Sequence, residues 1–250
     1  MNTHCGQVHE IHSTSYVFKG IPYALLPTTQ RRWKPPEPLN RSTNTCWPGT
    51  FNASMFGNTC IQRSMDNSGS VIGSEDSLFL NVWTPTLDKN ANLAVMVWIH
   101  GGSLQIMNGN WPGYSPTTKL ASTTSTVYVS INYCLHVFGF MAQDIWSSPS
   151  PNNVSGNYGF MDQQLALQWV QMNIKNFGGN PNLVSRLYIF HCSIDISKMI
   201  VHTNHRSNAY SFQNYEALVQ SCKCNYRHRR PKPNLSLLCR PFGCIAPKHF

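Results

Sequence analysis

The sequence predicts an α/β fold, on three observations. Runs of β-branched and aromatic residues recur through the first 185 residues, one segment carries helical periodicity, and loops rich in Pro, Asn, Ser and Thr separate them. In chain order, Ser77-Leu-Phe-Leu-Asn-Val-Trp-Thr84 is an aromatic and β-branched strand stopped by Pro85. Ala94-Val-Met-Val-Trp-Ile99 is continuously apolar, as a strand covered on both faces should be. Thr126-Val-Tyr-Val-Ser-Ile-Asn-Tyr133 repeats the theme. From Asp162 to Phe177 the pattern changes: Leu165, Ala166, Trp169, Val170, Asn173, Ile174 and Phe177 recur at helical spacing, and Gly178-Gly179 before Pro181 ends the helix. Between these elements, Gln30–Asn67 and Gly109–Pro116 have the chemistry of long surface loops. No internal repeat is present.

Composition narrows the class. The 250 residues suffice for one large domain, and only 12% of them are charged, against roughly one-quarter in an average soluble domain. That share excludes coiled coils and charged disordered chains. The net charge of +9 is uneven: residues 1–185 carry nine Lys/Arg against eight Asp/Glu, and 186–250 carry ten against two. Five of the nine cysteines also fall after residue 186. Two unlike stretches are therefore expected, 1–185 and 186–250. The second shows one short apolar run, Leu187-Tyr-Ile-Phe190, then no periodicity, and reads as an unstructured basic, Cys-rich tail.

No window reaches the ~18 consecutive apolar residues of a membrane-spanning helix, and Met1–Gly20 has neither a basic start nor an apolar run, so no secretory leader is read. Asn40-Arg-Ser, Asn52-Ala-Ser and Asn153-Val-Ser are glycosylation sequons, with a fourth at Asn234. They suit a secreted ancestry, and the compartment stays open.

Several motifs occur in a fixed order. They are Phe18-Lys-Gly-Ile-Pro-Tyr-Ala24, Arg32-Trp-Lys-Pro-Pro-Glu-Pro38, Ser74-Glu-Asp-Ser-Leu-Phe-Leu-Asn-Val-Trp-Thr-Pro85 and Val97-Trp-Ile-His-Gly-Gly-Ser103. Asn132-Tyr133, Phe138-Gly-Phe140 and Gly156-Asn-Tyr-Gly-Phe-Met-Asp-Gln-Gln-Leu-Ala-Leu-Gln-Trp-Val170 follow. Together they resemble the type-B carboxylesterase and cholinesterase family of α/β-hydrolases. The resemblance implies an incomplete α/β-hydrolase fold, the N-terminal part of a mixed, mostly parallel sheet with an open edge where later strands would follow. Such an edge invites aggregation.

The resemblance also implies a chemistry: a serine on a strand-to-helix elbow, a histidine base, an orienting acid and backbone donors for the oxyanion. Gly101, Gly102 and Ser103 stand where the family has its oxyanion glycines. Ser103 adds a Cβ where glycine lets the backbone approach substrate, which misaims the donors. Gly-x-Ser-x-Gly occurs nowhere in the 250 residues. Ser193 aligns with the nucleophile only if three residues are inserted, and then His191 and Asp195 replace the flanking glycines. The triad acid and histidine lie, in the family, beyond any segment matched here; His100 and His136 are loop residues. Hydrolysis by this chain is therefore not expected, and a non-catalytic binding or adhesion role on the esterase scaffold is the alternative.

By the same resemblance, Arg32 and Glu75 form a structural ion pair. Cys60 loses its usual disulfide partner because Ser77 stands there. Cys134 replaces an arginine, which strands Asp162. The loop Ile61–Asp76 contains no aromatic residue on which a choline cation could stack, so a general small-molecule carboxylic ester is the implied substrate. No cofactor and no metal are implied. In the tail, Cys222, Cys224, His228, Cys239 and Cys244 have the wrong spacing for a zinc site. The basic run Arg227–Lys232 lacks interleaved aromatics, so no nucleic-acid partner is expected. Charge, cysteine density and family likeness all change near residue 186, as foreign sequence from an intron or shifted frame would make them.

Overall fold

The computed structural model describes residues 11–12, 15–39, 50–66, 68–144, 155–189 and 199–203. All fall in the first of the chain's two units, Met1–His205; the second, Arg206–Phe250, lies outside the described residues.

The strands are β1 (Ile11–His12), β2 (Ser15–Pro22), β3 (Gln62–Arg63), β4 (Val71–Ile72), β5 (Phe79–Thr84), β6 (Leu93–Ile99), β7 (Val127–Ile131), β8 (Gly179–Ile189) and β9 (Met199–Thr203). Seven of them form one sheet in the order β1-β2-β5-β7-β6-β8-β9, while β3 and β4 form a separate hairpin. Only the β6–β7 and β6–β8 pairs are parallel; β1–β2, β2–β5, β5–β7 and β8–β9 are antiparallel. The sheet is thus mixed, and the expected mostly parallel character is corrected. Parallel neighbours need a crossover, and the described chain has helices to supply only two of them. The first is α1 (Thr118–Thr124), between β6 and β7. The second holds α2 (His136–Phe140) and α3 (Tyr158–Asn173), between β7 and β8.

Central β6 and β7 are apolar because both faces are covered: Val95, Val97, Ile99, Val127, Val129 and Ile131 are all buried. Helix α1 starts where the Thr117 hydroxyl accepts the Leu120 N–H at 3.1 Å. Helix α3 begins four residues before the periodic segment, and its buried set runs around it from Tyr158 and Asp162 to Leu167, Trp169 and Asn173. A 3-10 turn, Ile174–Phe177, extends it to Gly178, whose φ of +79° closes the turn.

Two segments depart from the reading of the sequence. Strand β2 crosses a bulge between Phe18 and Ile21, where the Gly20 N–H donates to Asn81 Oδ1 at 2.8 Å. Strand β8 starts at Gly179, before Pro181, because its pairing with β6 jumps from Gly179 to Val184. The proline sits in that interruption, where no ladder N–H is missed. Its far edge is not open: β9 pairs with it over Ser185–Ile189. Strand β8 runs past residue 186 to Ile189, and β9 is the last strand on that side of the sheet among the described residues.

Candidate active site

The carboxyl end of β6 leads into His100-Gly101-Gly102-Ser103. Register places Ile99 beside Tyr188 of β8 and Ile131 of β7, so this loop emerges between the ends of two parallel neighbours. In open α/β sheets this is where ligands bind. The loop is wound tightly. The Gly102 carbonyl accepts from the Gln105 N–H at 2.9 Å and the Ile106 N–H at 3.1 Å. Gly102, Ser103 and Leu104 all have positive φ, at +95°, +55° and +60°.

Side chains from distant elements pin this loop. The Met107 N–H donates to Gln62 Oε1 at 2.7 Å, and Gln62 Nε2 donates to the Met107 carbonyl at 3.0 Å. The Gly109 N–H donates to Asn132 Oδ1 at 2.6 Å, and Asn132 Nδ2 donates to the Asn58 carbonyl at 2.9 Å. Tyr23 Oη donates to the Asn132 carbonyl at 2.7 Å, and the His136 N–H donates to the Leu104 carbonyl at 2.9 Å. The reading of the sequence missed Gln62 and Tyr23 as positioning groups; for Asn132, the Asn-Tyr motif was the available signal.

His100 is held inside the fold. Its ring is buried, stacks on Tyr133 with centroids 4.4 Å apart, and lies with Nδ1 2.9 Å from the Gly101 carbonyl. A carbonyl only accepts, so Nδ1 carries the proton. Burial pushes the imidazole down to about 4, partly opposed by the Gly101 carbonyl. The ring therefore shapes the start of the loop.

A second cluster lies where β7 runs into α2. Cys60, Cys134 and Asp162 are buried, and they line a cavity of about 20 Å³ together with Arg32, Glu75, Phe138 and Tyr158. That volume holds about one water and no ester substrate. The Cys134 N–H donates to Asp162 Oδ2 at 2.9 Å, and the Leu135 N–H donates to Cys60 Sγ at 3.1 Å. Burial pushes the Asp162 carboxyl up to about 7 in spite of the Cys134 hydrogen bonds. At the rim, Arg32 grips Glu75 bidentately, with Nε to Oε2 and Nη2 to Oε1 both 2.5 Å.

Of the other candidates, Asn52 is exposed, with its Oδ1 accepting from the Ser54 N–H at 3.1 Å. Asn40, Asn153, Asn234, Ser193 and the tail cysteines, histidine and basic run all lie outside the described residues. Among the described residues, no group of His, Cys, Asp and Glu has the geometry to hold a metal ion, and no helix is long and apolar enough to cross a membrane.

A mixed sheet with a Gly-Gly loop at the end of a central parallel strand, a long crossover helix and a further parallel strand defines an α/β-hydrolase-like fold, of which part is present. A family model described as the carboxylesterase family matches residues 2–186, and the chain belongs to that family. It is 37% identical over 186 residues to the fumonisin B1 esterase of Sphingopyxis macrogoltabida, a match covering 74% of this chain and 33% of that protein. It is 40% identical over 183 residues to the cholinesterase of Mus musculus, covering 69% and 28%. The solved carboxylesterase EST55 of Geobacillus stearothermophilus superposes with a TM-score of 0.64 at 36% identity, over 75% of this chain and 36% of that one. The chain thus spans about a third of the length of these relatives.

The strain at Ser103 gives a direct test of the loop. The residue is exposed at φ +55°, a region that glycine enters freely. Ser103→Gly is expected to stabilise the fold by about 0.5–1 kcal/mol, the left-handed penalty less the added freedom of glycine when unfolded. A urea midpoint that stays put or falls would contradict the assigned backbone.

Proposed function

We propose that the described residues are the oxyanion side of a catalytic domain that hydrolyses small-molecule carboxylic esters, and that this 250-residue chain by itself turns over none. The observation that carries the first half is the Gly101-Gly102-Ser103 turn at the carboxyl end of β6, beside the end of β8. The turn is fixed through the Gly102 carbonyl, which accepts from Gln105 and Ile106, and a fixed backbone is what stabilisation of a developing oxyanion requires. The substrate is assigned to general esters because the loop Ile61–Asp76 offers no aromatic ring to a choline-like cation.

The second half rests on the nucleophile. An elbow serine requires a strand, a tight glycine turn and a helix. Here Gly-x-Ser-x-Gly is absent from the sequence, and the chain after β8 returns as the antiparallel strand β9. The buried, neutral His100 supplies no base. Without nucleophile and base the proton transfer has no route. The purified chain is expected to hydrolyse a short nitrophenyl ester no faster than buffer. Hydrolysis that disappears in Ser193→Ala would overturn this half of the proposal and leave the family assignment intact. A second reading, a non-catalytic binding protein on the same scaffold, draws support from β9, which pairs along the edge of β8.

A further inference from the structure

We propose that Cys60 and Cys134 are disulfide partners, a cross-link between the loop before β3 and the junction of β7 with α2. Both side chains are buried, at 2% and 6% exposure, and both line the same small cavity. The Leu135 N–H lies on Cys60 Sγ at 3.1 Å. A backbone nitrogen stands about 2.4 Å from the preceding Cα, across bonds of about 1.5 and 1.3 Å. Cys60 Sγ is therefore within about 5.5 Å of Cys134 Cα, and a bridge there requires the two Cα atoms to stand about 4.4–6.8 Å apart. Both are free, buried thiols in the structure.

The chemistry of the pair is asymmetric. Hydrogen bonds from the Cys134 thiol, the Leu135 N–H and the Ser77 hydroxyl pull the Cys60 thiol down, against burial and the Asp162 charge. The Cys134 thiol is held up, first by its bond to Cys60 and then by burial. With Cys60 attacking first, Cys134 is the resolving thiol, and the reverse order gives the same product. The oxidant is a low-molecular-weight disulfide such as glutathione disulfide. Cys60 S⁻ attacks one of its sulfurs, breaking that S–S bond and releasing one thiolate. Cys134 then loses its proton and attacks the Cys60 sulfur of the mixed disulfide, releasing the second thiolate. The two cysteines lose two protons and two electrons, and the small disulfide leaves as two thiols. Because the folded pair is buried, the exchange takes place as the chain folds, before α2 packs down.

The test refolds the reduced full chain in a glutathione redox buffer, alkylates remaining thiols, digests without reduction and maps peptides by mass spectrometry. A Cys60–Cys134 cross-linked peptide is expected as the dominant species containing Cys60, lost on reduction and absent from Cys60→Ser and Cys134→Ser. In each variant the remaining partner is recovered alkylated, and in the wild type the urea midpoint drops on reduction. Recovery of both cysteines alkylated from the refolded wild type would overturn the proposal. So would Cys60 joined mainly to another cysteine, such as Cys192. The wild-type map decides the matter even where a variant fails to fold.

Discussion

Replacing Asp162 by Asn is expected to make the fold more stable by roughly 4 kcal/mol near pH 8, at about 1.36 kcal/mol for each tenfold change in the acid constant. This carboxyl has an ordinary value of 3.8 and sits at about 7 in the fold, raised by burial. Between those values the folded chain holds a proton that the unfolded chain has released. Stability is therefore lost as pH rises through the window, and the loss is complete above about 7. Asn is neutral at every pH and keeps an oxygen for the Cys134 N–H. His100 acts in the opposite sense, since its folded value of about 4 lies below its ordinary 6.5. Its contribution is present above about 6.5 and is lost as pH falls toward 4. The wild-type profile partly cancels, so the informative quantity is the difference between variant and wild type. That difference should be near zero around pH 4 and grow to its full size by about pH 8. Urea unfolding of both proteins across this range measures it. A variant no more stable than wild type near pH 8 would show that Asp162 keeps its charge compensated.

Gly102→Ala is expected to cost about 3 kcal/mol or more, through strain and overlap together. The residue has φ +95°, and a Cβ there would stand 2.2 Å from the Ile106 carbonyl oxygen and 2.8 Å from its carbon. Both are backbone atoms, held because the Ile106 and Gln105 N–H groups bond back to the Gly102 carbonyl. Relief requires the turn to open. Gly113 provides the control, since at φ +81° an added Cβ meets nothing within 4 Å. Gly113→Ala should therefore show the strain alone, about 1 kcal/mol. Equal urea midpoints for the two variants would remove the overlap from the account and with it the tight turn.

The parts of the fold that the sequence discloses are those where one force dominates. Strands β5, β6 and β7 were legible because burial on both faces fills them with apolar, aromatic and β-branched residues, and Pro85 marks the end of β5. Strand β2 was hidden by Lys19-Gly20-Ile21-Pro22, in which the bulge breaks the alternation. The start of α3 was hidden because Asn157, with φ +59°, caps it without a side-chain hydrogen bond and Gly159 follows at once. Short α2 has no periodicity to read. At the site, the Gly-Gly loop was visible as a motif, whereas the closeness of Cys60 and Cys134 was not. Each is an isolated cysteine in sequence, and only the path of β7 into α2 brings them together.

Gln62 and Asn132 have a consequence for how this part of the chain can vary. Gln62 offers Met107 both a donor and an acceptor, as a neighbouring strand residue would, and Asn132 holds Gly109 and Asn58 at once. The segment after Gly102 thus takes its course from two amides, one 45 and the other 23 positions away, and little from its own composition. Its exposed residues are free to drift with small effect on its path, while a single change at either amide redirects all of it. Tolerance to substitution is inverted here: the irregular stretch is permissive, and the fixed points sit outside it.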